Sequence, residues 1–190
     1  CIAEKKGKAN ALNFGLRYVC TDYFLTVDAD TLLESNAVAA IMAHITAAQH
    51  GCVAGNLFVA SGCKSIWGKM QFYDYLLSIA AVKRFQGSYN STLVAQGAFS
   101  AYNTCAVKEV GGWQDVFGED IVLTYQLLAL GYTSGYEPYA AAKTTVPDKF
   151  FGFYQQRRRW AVGMLEGLSQ VKPWKQKTFS LDGLPPSTFW

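Results

Sequence analysis

Residues 23–30, YFLTVDAD, restrict the fold more than any other stretch of this chain. A short run of aromatic, aliphatic and β-branched residues stops abruptly at two acids. The pattern predicts a buried strand with the carboxylates of Asp28 and Asp30 at its C-terminal end. The period changes on both sides of it. Residues 8–19 put Ala9, Leu12, Leu16 and Val19 on one face, which reads as a helix. Beyond the acids, Ser35 is placed to cap a second helix, in which Val38, Ile41, Met42 and Ile45 recur at i, i+3, i+4 and i+7. Residues 52–60, CVAGNLFVA, read as another strand. Strand–helix alternation implies an α/β sheet with helices on both faces, and such sheets bind ligands at the carboxyl ends of their strands. Asp28 and Asp30 stand at such an end.

Further along, helical patterns cover residues 65–84, 119–130 and 150–171, with Gly131 and Pro173 as stops for the last two. Residues 98–102 read as a strand and 133–146 as extended. With 190 residues, 51% of them hydrophobic and 15% aromatic, the chain is long enough for one domain with a sizeable core, assigned to residues 1–172, with 173–190 a tail leading out of it. A net charge of +3 is too small to imply a nucleic-acid partner. Five cysteines without C-x-x-C spacing and only two histidines argue against zinc and for a reducing compartment. The apolar run at residues 75–82 is far short of the roughly 20 residues a membrane-spanning helix needs. The abrupt opening at Cys1 and Ile2 leads us to expect a fragment of a longer protein.

Three polar constellations stand out. Asp28-Ala29-Asp30 offers two hard oxygen donors of the kind Mg²⁺ or Mn²⁺ takes, with phosphate and water completing the shell; an ordinary polar strand end has the same look. Glu119-Asp120 opens a helix, where acids complement the dipole, and either residue could also serve as a general base. In YQQRRRWAVGM, residues 154–164, successive side chains point about 100° apart, so the three arginines cannot make one patch. Gln156 shares a face with Arg159 at i+3 and with Trp160 at i+4. Amide, guanidinium and indole together suit a phosphorylated sugar better than a nucleic acid.

As an ordered set, Asp28-Ala29-Asp30, Glu119-Asp120 and Gln156-Arg157-Arg158-Arg159-Trp160 resemble the D-x-D, E-D and Q-x-x-R-W motifs of family 2 glycosyltransferases, the processive inverting type. EKKGKANALNFGL resembles that family's K-G-K-x-x-A-L-N segment, and residues 97–103, GAFSAYN, its loop beside donor and acceptor. The resemblance covers roughly residues 4–165 and implies a GT-A-like mixed sheet. It lacks an N-terminal nucleotide-binding segment and flanking transmembrane helices, and Asn103 stands where the family often has arginine.

The resemblance implies a role for each residue. Asp30, helped by Asp28, would hold Mg²⁺ or Mn²⁺ on the donor diphosphate, with Lys8 beside the donor. Asp120 would be the general base, with Glu119 next to it. Gln156 and Arg159 would meet the diphosphate, and Trp160 would line the acceptor end. Arg157 and Arg158 would be structural or surface residues. The implied reaction moves a sugar, with N-acetylglucosamine preferred, from a UDP-sugar to a growing β-linked polysaccharide. It would take place at the cytosolic face of the plasma (inner) membrane, which the intact protein would reach through segments absent from this chain. The alternatives are a UDP-glucose-using cellulose-type enzyme, a non-processive family 2 transferase, or a non-catalytic carbohydrate- or nucleotide-binding fragment.

Overall fold

The computed structural model describes residues 7–60, 65–87, 92 and 94–171. The tail at 173–190, with the Pro173 stop, lies outside the described residues. Elements follow in the order α1 (Lys8–Leu16), β1 (Tyr23–Val27), β2 (Thr31–Leu33), α2 (Ala37–Ala48), β3 (Cys52–Val59) and α3 (Ile66–Tyr75). A π-helical turn (Leu76–Val82) then leads to α4 (Lys83–Gly87), β4 (Phe99–Asn103), α5 (Thr104–Glu109), α6 (Glu119–Ala129), β5 (Ser134–Thr144) and α7 (Phe150–Val171).

The five strands form one mixed sheet in the order β1-β4-β3-β5-β2. Only β3 and β5 run parallel; β1 with β4, β4 with β3, and β2 with β5 are antiparallel. The period-2 alternation of side chains divides the core between the two faces. On one face, Val53, Leu57, Phe99, Ala101 and Ala142 pack with Ile41 and Ile45 of α2 and Tyr75 of α3. On the other, Cys52 and Tyr102 pack with Ala9 and Leu16 of α1, Ala106 and Val107 of α5, Trp113, and Leu123 and Leu127 of α6. The expected α/β sheet with helices on both faces is thus observed.

Several local expectations are corrected. Residues 23–30 are not a fully buried strand: among the described residues β1 lies at the sheet edge, mostly half-buried, and it ends at Val27, with the acids just after it. The hydrophobic run is real, but β4 inserts between β1 and β3, a long-range pairing that leaves β1 only one neighbour. Asp28 and Asp30 lie in the turn between β1 and β2. The first helix stops at Leu16, and Val19 lies beyond it. Asn36, not Ser35, occupies the N-cap of α2, and neither side chain caps it. Val38 is largely exposed. The expected helix at 65–84 starts as read, with Ser65 Oγ accepting from Gly68 N at 3.0 Å, but is interrupted by the π turn and continues to Gly87. In β5, the pairing with β3 jumps from Gly55–Glu137 to Asn56–Ala141, and Asn56 Nδ2 donates to the carbonyl of Pro138 in the bulge.

One close contact determines where α7 lies. A Cβ added at Gly163 would stand 2.9 Å from the Gly118 nitrogen and Cα, and one at Gly167 would meet Ile121 at 2.9 Å. The bare backbone of α7 therefore rests on the start of α6. Phe117 N also donates to Glu166 Oε2 at 3.1 Å. Gly163→Val should push the helices apart and lower stability by about 1–3 kcal/mol, as overpacking does. Thermal unfolding followed by circular dichroism checks this; an unchanged melting temperature would mean that α7 does not depend on the contact.

Candidate active site

Three elements bring the acids together. Lys8 is the first residue of α1 and follows Gly7, whose φ of 93° is a left-handed conformation suited to glycine. From there its ammonium reaches Asp28 Oδ1 at 3.0 Å and Glu119 Oε1 at 3.5 Å. Asn13, on the same helix, fixes the approach to α6. It donates from Nδ2 to the Trp113 carbonyl at 2.6 Å and accepts from the Trp113 amide at 2.9 Å. Gly111 and Gly112, with φ of 85° and 81°, turn the chain into that clamp.

Asp120 is held from the other side. Its Oδ2 accepts the Gly97 amide at 3.1 Å and its Oδ1 the Ile121 amide at 2.9 Å. Residues 94–97 form a strap before β4, tied along its length. Ala95 N donates to Thr124 Oγ1, Tyr102 Oη donates to the Ala95 carbonyl, and Gln96 reaches the Gly55 carbonyl. A Cβ at Gly97 would stand 2.8 Å from Lys8 Nζ, so a side chain there would displace the end of Lys8.

The electrostatics follow from this crowding. Burial would pull the Lys8 pKa down, but the hydrogen bond to Asp28 and the charges of Asp28, Glu119 and Asp120 outweigh it and hold the ammonium above the usual lysine value. Burial, and then the neighbouring Asp120 charge, push the Glu119 carboxyl up, with Lys8 partly opposing. Asp30 points elsewhere in the same turn, and its Oδ2 accepts from Thr145 Oγ1 at 2.9 Å just past β5.

The residues of α7 form a second group. Gln156 is half-buried, and its Oε1 has no protein hydrogen-bond partner. Arg159 and Trp160 are exposed. Arg157 turns inward, pairing with Asp74 Oδ2 at 2.7 Å and lying over the rings of Phe153 and Trp160 at 5.2 and 4.6 Å. Tyr75 stands between the groups: its ring is 6.2 Å from that of Trp160. Burial raises its phenol to about 12, and the charges of Arg157, Asp74, Asp30 and Asp28 all act on it. Among the described residues no hydrogen bond or ion pair joins Gln156, Arg159 or Trp160 to the acids. The structure therefore unites Lys8, Asp28, Glu119 and Asp120 directly, and α7 flanks them.

Sequence reading had missed Asn13, the Gly97 amide, Thr145 and Asp74. Asn13 and Gly97 belong to segments it did single out, but their hydrogen bonds span many residues and leave no local signal. Free thiols at Cys20, Cys52 and Cys105 agree with the reading of unpaired cysteines. Among the described residues there is no cluster of three or more metal-ligating side chains, and no helix is long and apolar enough to cross a membrane.

Comparison with known proteins places the chain in a family. Residues 23–188 match the family described as glycosyl transferase family group 2. A poly-β-1,6-N-acetyl-D-glucosamine synthase of Staphylococcus aureus is 35% identical over 167 residues, covering 85% of this chain and 40% of the synthase. Its namesake in Staphylococcus epidermidis is 34% identical over 164 residues, with the same shares. This chain thus spans about 40% of the length of these relatives. Among solved structures, the mannosyltransferase PcManGT from Pyrobaculum calidifontis, in complex with GDP-Man and Mn²⁺, superposes with a TM-score of 0.68 at 21% identity, covering 89% of this chain and 44% of its own. That likeness makes the sheet one of GT-A type. With the family match running through most of the chain, this protein belongs to the group 2 family of glycosyl transferases.

Proposed function

We propose that the full-length protein carrying this chain is an inverting, processive glycosyltransferase. It moves N-acetylglucosamine from its UDP donor to the non-reducing end of a growing β-linked polysaccharide, at the cytosolic face of the plasma membrane. Residues 1–172 supply its catalytic domain, and 173–190 lead out of it. The observation that carries this reading is Asp120, a carboxylate fixed by the Gly97 amide beside Glu119 and close to the Lys8–Asp28 pair. The sugar is supported by the names of the staphylococcal relatives. A nucleotide-sugar donor and a divalent ion are supported by what PcManGT holds.

The charge balance of the corner fits such an ion. Asp28, Glu119 and Asp120 place three carboxylates there, with Asp30 in the adjoining turn; Lys8 bridges Asp28 and Glu119, and Arg157 is committed to Asp74. A diphosphate entering so acidic a corner needs further positive charge. Asp28 and Asp30 offer hard oxygens but no dedicated cage, which suits Mg²⁺ or Mn²⁺ shared with phosphate oxygens. When bound, the ion supplies Lewis-acid stabilisation of the departing diphosphate. Lys8 lies beside the same phosphates, and Arg159, exposed on α7, adds charge from the far side with Gln156. Trp160 offers an indole face to the acceptor sugar. The acceptor hydroxyl attacks the anomeric carbon as UDP leaves from the opposite face, and the hydroxyl proton passes to the Asp120 carboxylate.

Two measurements on the full-length protein test this. Asp120→Asn cannot take the proton, so transfer from UDP-N-acetylglucosamine should fall roughly 10²–10⁴-fold while UDP affinity stays within a few-fold. Glu119→Gln should cost less. Near-normal turnover in Asp120→Asn would remove it as the base, and faster transfer from UDP-glucose by the unaltered protein would change the sugar.

Asp30→Asn should abolish transfer and weaken metal-dependent UDP binding, as read by calorimetry with and without Mn²⁺. The fold should persist, because Asp30 is exposed and gives up only its bond with Thr145. Unchanged metal dependence in that variant would return the two acids to an ordinary polar turn.

A further inference from the structure

A lysine the reaction does not use lies behind the base. Lys83 opens α4, directly after the π-helical turn. The residue is half-buried, and its ammonium, partly removed from water, donates to the Val94 carbonyl at 2.9 Å. Val94 begins the strap that ends in the Gly97 amide, the donor to Asp120. Every residue of the strap is therefore tied: Val94 by Lys83, Ala95 by Thr124 and Tyr102, Gln96 by Gly55 and Ser100, and Gly97 by Asp120. An ammonium drawn out of water is costly and ordinarily needs a charged partner. The charge that acts on it most is that of Asp120.

We propose that Lys83 is a positioning residue for Asp120, anchoring the strap whose Gly97 amide holds the carboxylate and facing that carboxylate with a partly buried positive charge. The proposal rests on the reading of Asp120 as the general base.

Asp120 is the ionised carboxylate whose charge acts on Lys83. Burial pushes the Cys52 thiol of β3 up to about 12 and the Tyr102 phenol of β4 well above its usual value, so both are neutral near pH 8. Tyr136 of β5, which packs against α4, is also raised to about 12 by burial, with Arg84 and Glu137 acting on it. Lys8 and Glu119 interact with Asp120 from the solvent side of the corner. Burial lowers Lys83 itself to about 8, with Asp120 and Cys52 opposing. Below that pH Lys83 is an ammonium; above it the amine is neutral and both of its holds weaken.

Three measurements on the full-length protein test the assignment. In ¹³C-lysine NMR, Lys83 should titrate near pH 8, and in Asp120→Asn, which removes the opposing charge, it should titrate lower. Lys83→Met should lower kcat for sugar transfer at least about tenfold with donor KM within about twofold, because a displaced base slows the chemistry rather than donor binding. The unaltered protein should lose kcat as pH rises through about 8. Lys83→Arg, charged at every accessible pH, should recover part of kcat and lack that alkaline fall. A Lys83 titration that ignores Asp120→Asn, or an alkaline fall that survives in Lys83→Met, would overturn the proposal. If the unaltered protein moved no sugar from UDP-N-acetylglucosamine while Lys83 still sensed Asp120, the donor assignment would fail and the coupling would stand.

Discussion

Everything at the candidate site depends on one ammonium group placed between acids from two distant parts of the chain. Asp28 follows the first strand and Glu119 opens α6; Lys8 touches both. The Lys8 and Asp28 side chains are 45% and 38% exposed, so the pair adds less than about 1 kcal/mol to stability. Its importance is therefore positional. Without the cation, Asp28, Glu119 and Asp120 would repel one another, although backbone pairing of β1 with β4 and the bond from Asp28 N to the Ala98 carbonyl still place the turn. Stability comes instead from the two cores on either face of the sheet, which contain none of these charges. The architecture thus separates what folds the chain from what acts. The sheet and its helices hold the backbone still, and the charged corner is built on the ends of elements.

How much of this was legible in the sequence depended on the range of each interaction. The last helix was read to its bounds, residues 150–171, because its period and flanking residues are local. The strands at Cys52–Val59 and Phe99–Asn103 were found for the same reason. Whether β1 sits at the centre or the edge is decided by β4 more than seventy residues later in the chain, and YFLTV reads the same in either place. The π turn escaped because its apolar residues still fall near a helical period. At the site, residue types were visible but partners were not. Glycine at 97 matters through its amide and its missing Cβ, and neither leaves a compositional trace. Lys83 carries no signal of its own in the sequence, since its bond to the Val94 carbonyl depends on how the strap is placed.

The three consecutive arginines show how the helix geometry sorts identical residues. Their side chains point about 100° apart, so each meets a different environment. Arg157 faces α3, where Asp74 neutralises it and Phe153 and Trp160 cover it, so it fastens α7 to the body. Arg158 and Arg159 stay exposed. Gly163 and Gly167 lie about one and two turns beyond Trp160, and their bare backbones let α7 descend onto α6. A bulky residue at either glycine would lift Gln156, Arg159 and Trp160 away from the acids together. The same helix therefore combines an inward arginine, an aromatic and two glycines that fasten it with outward arginines that stay in solvent. The spacing of the whole run, rather than any one of its residues, decides which of the three arginines is tied to the body and which stay exposed.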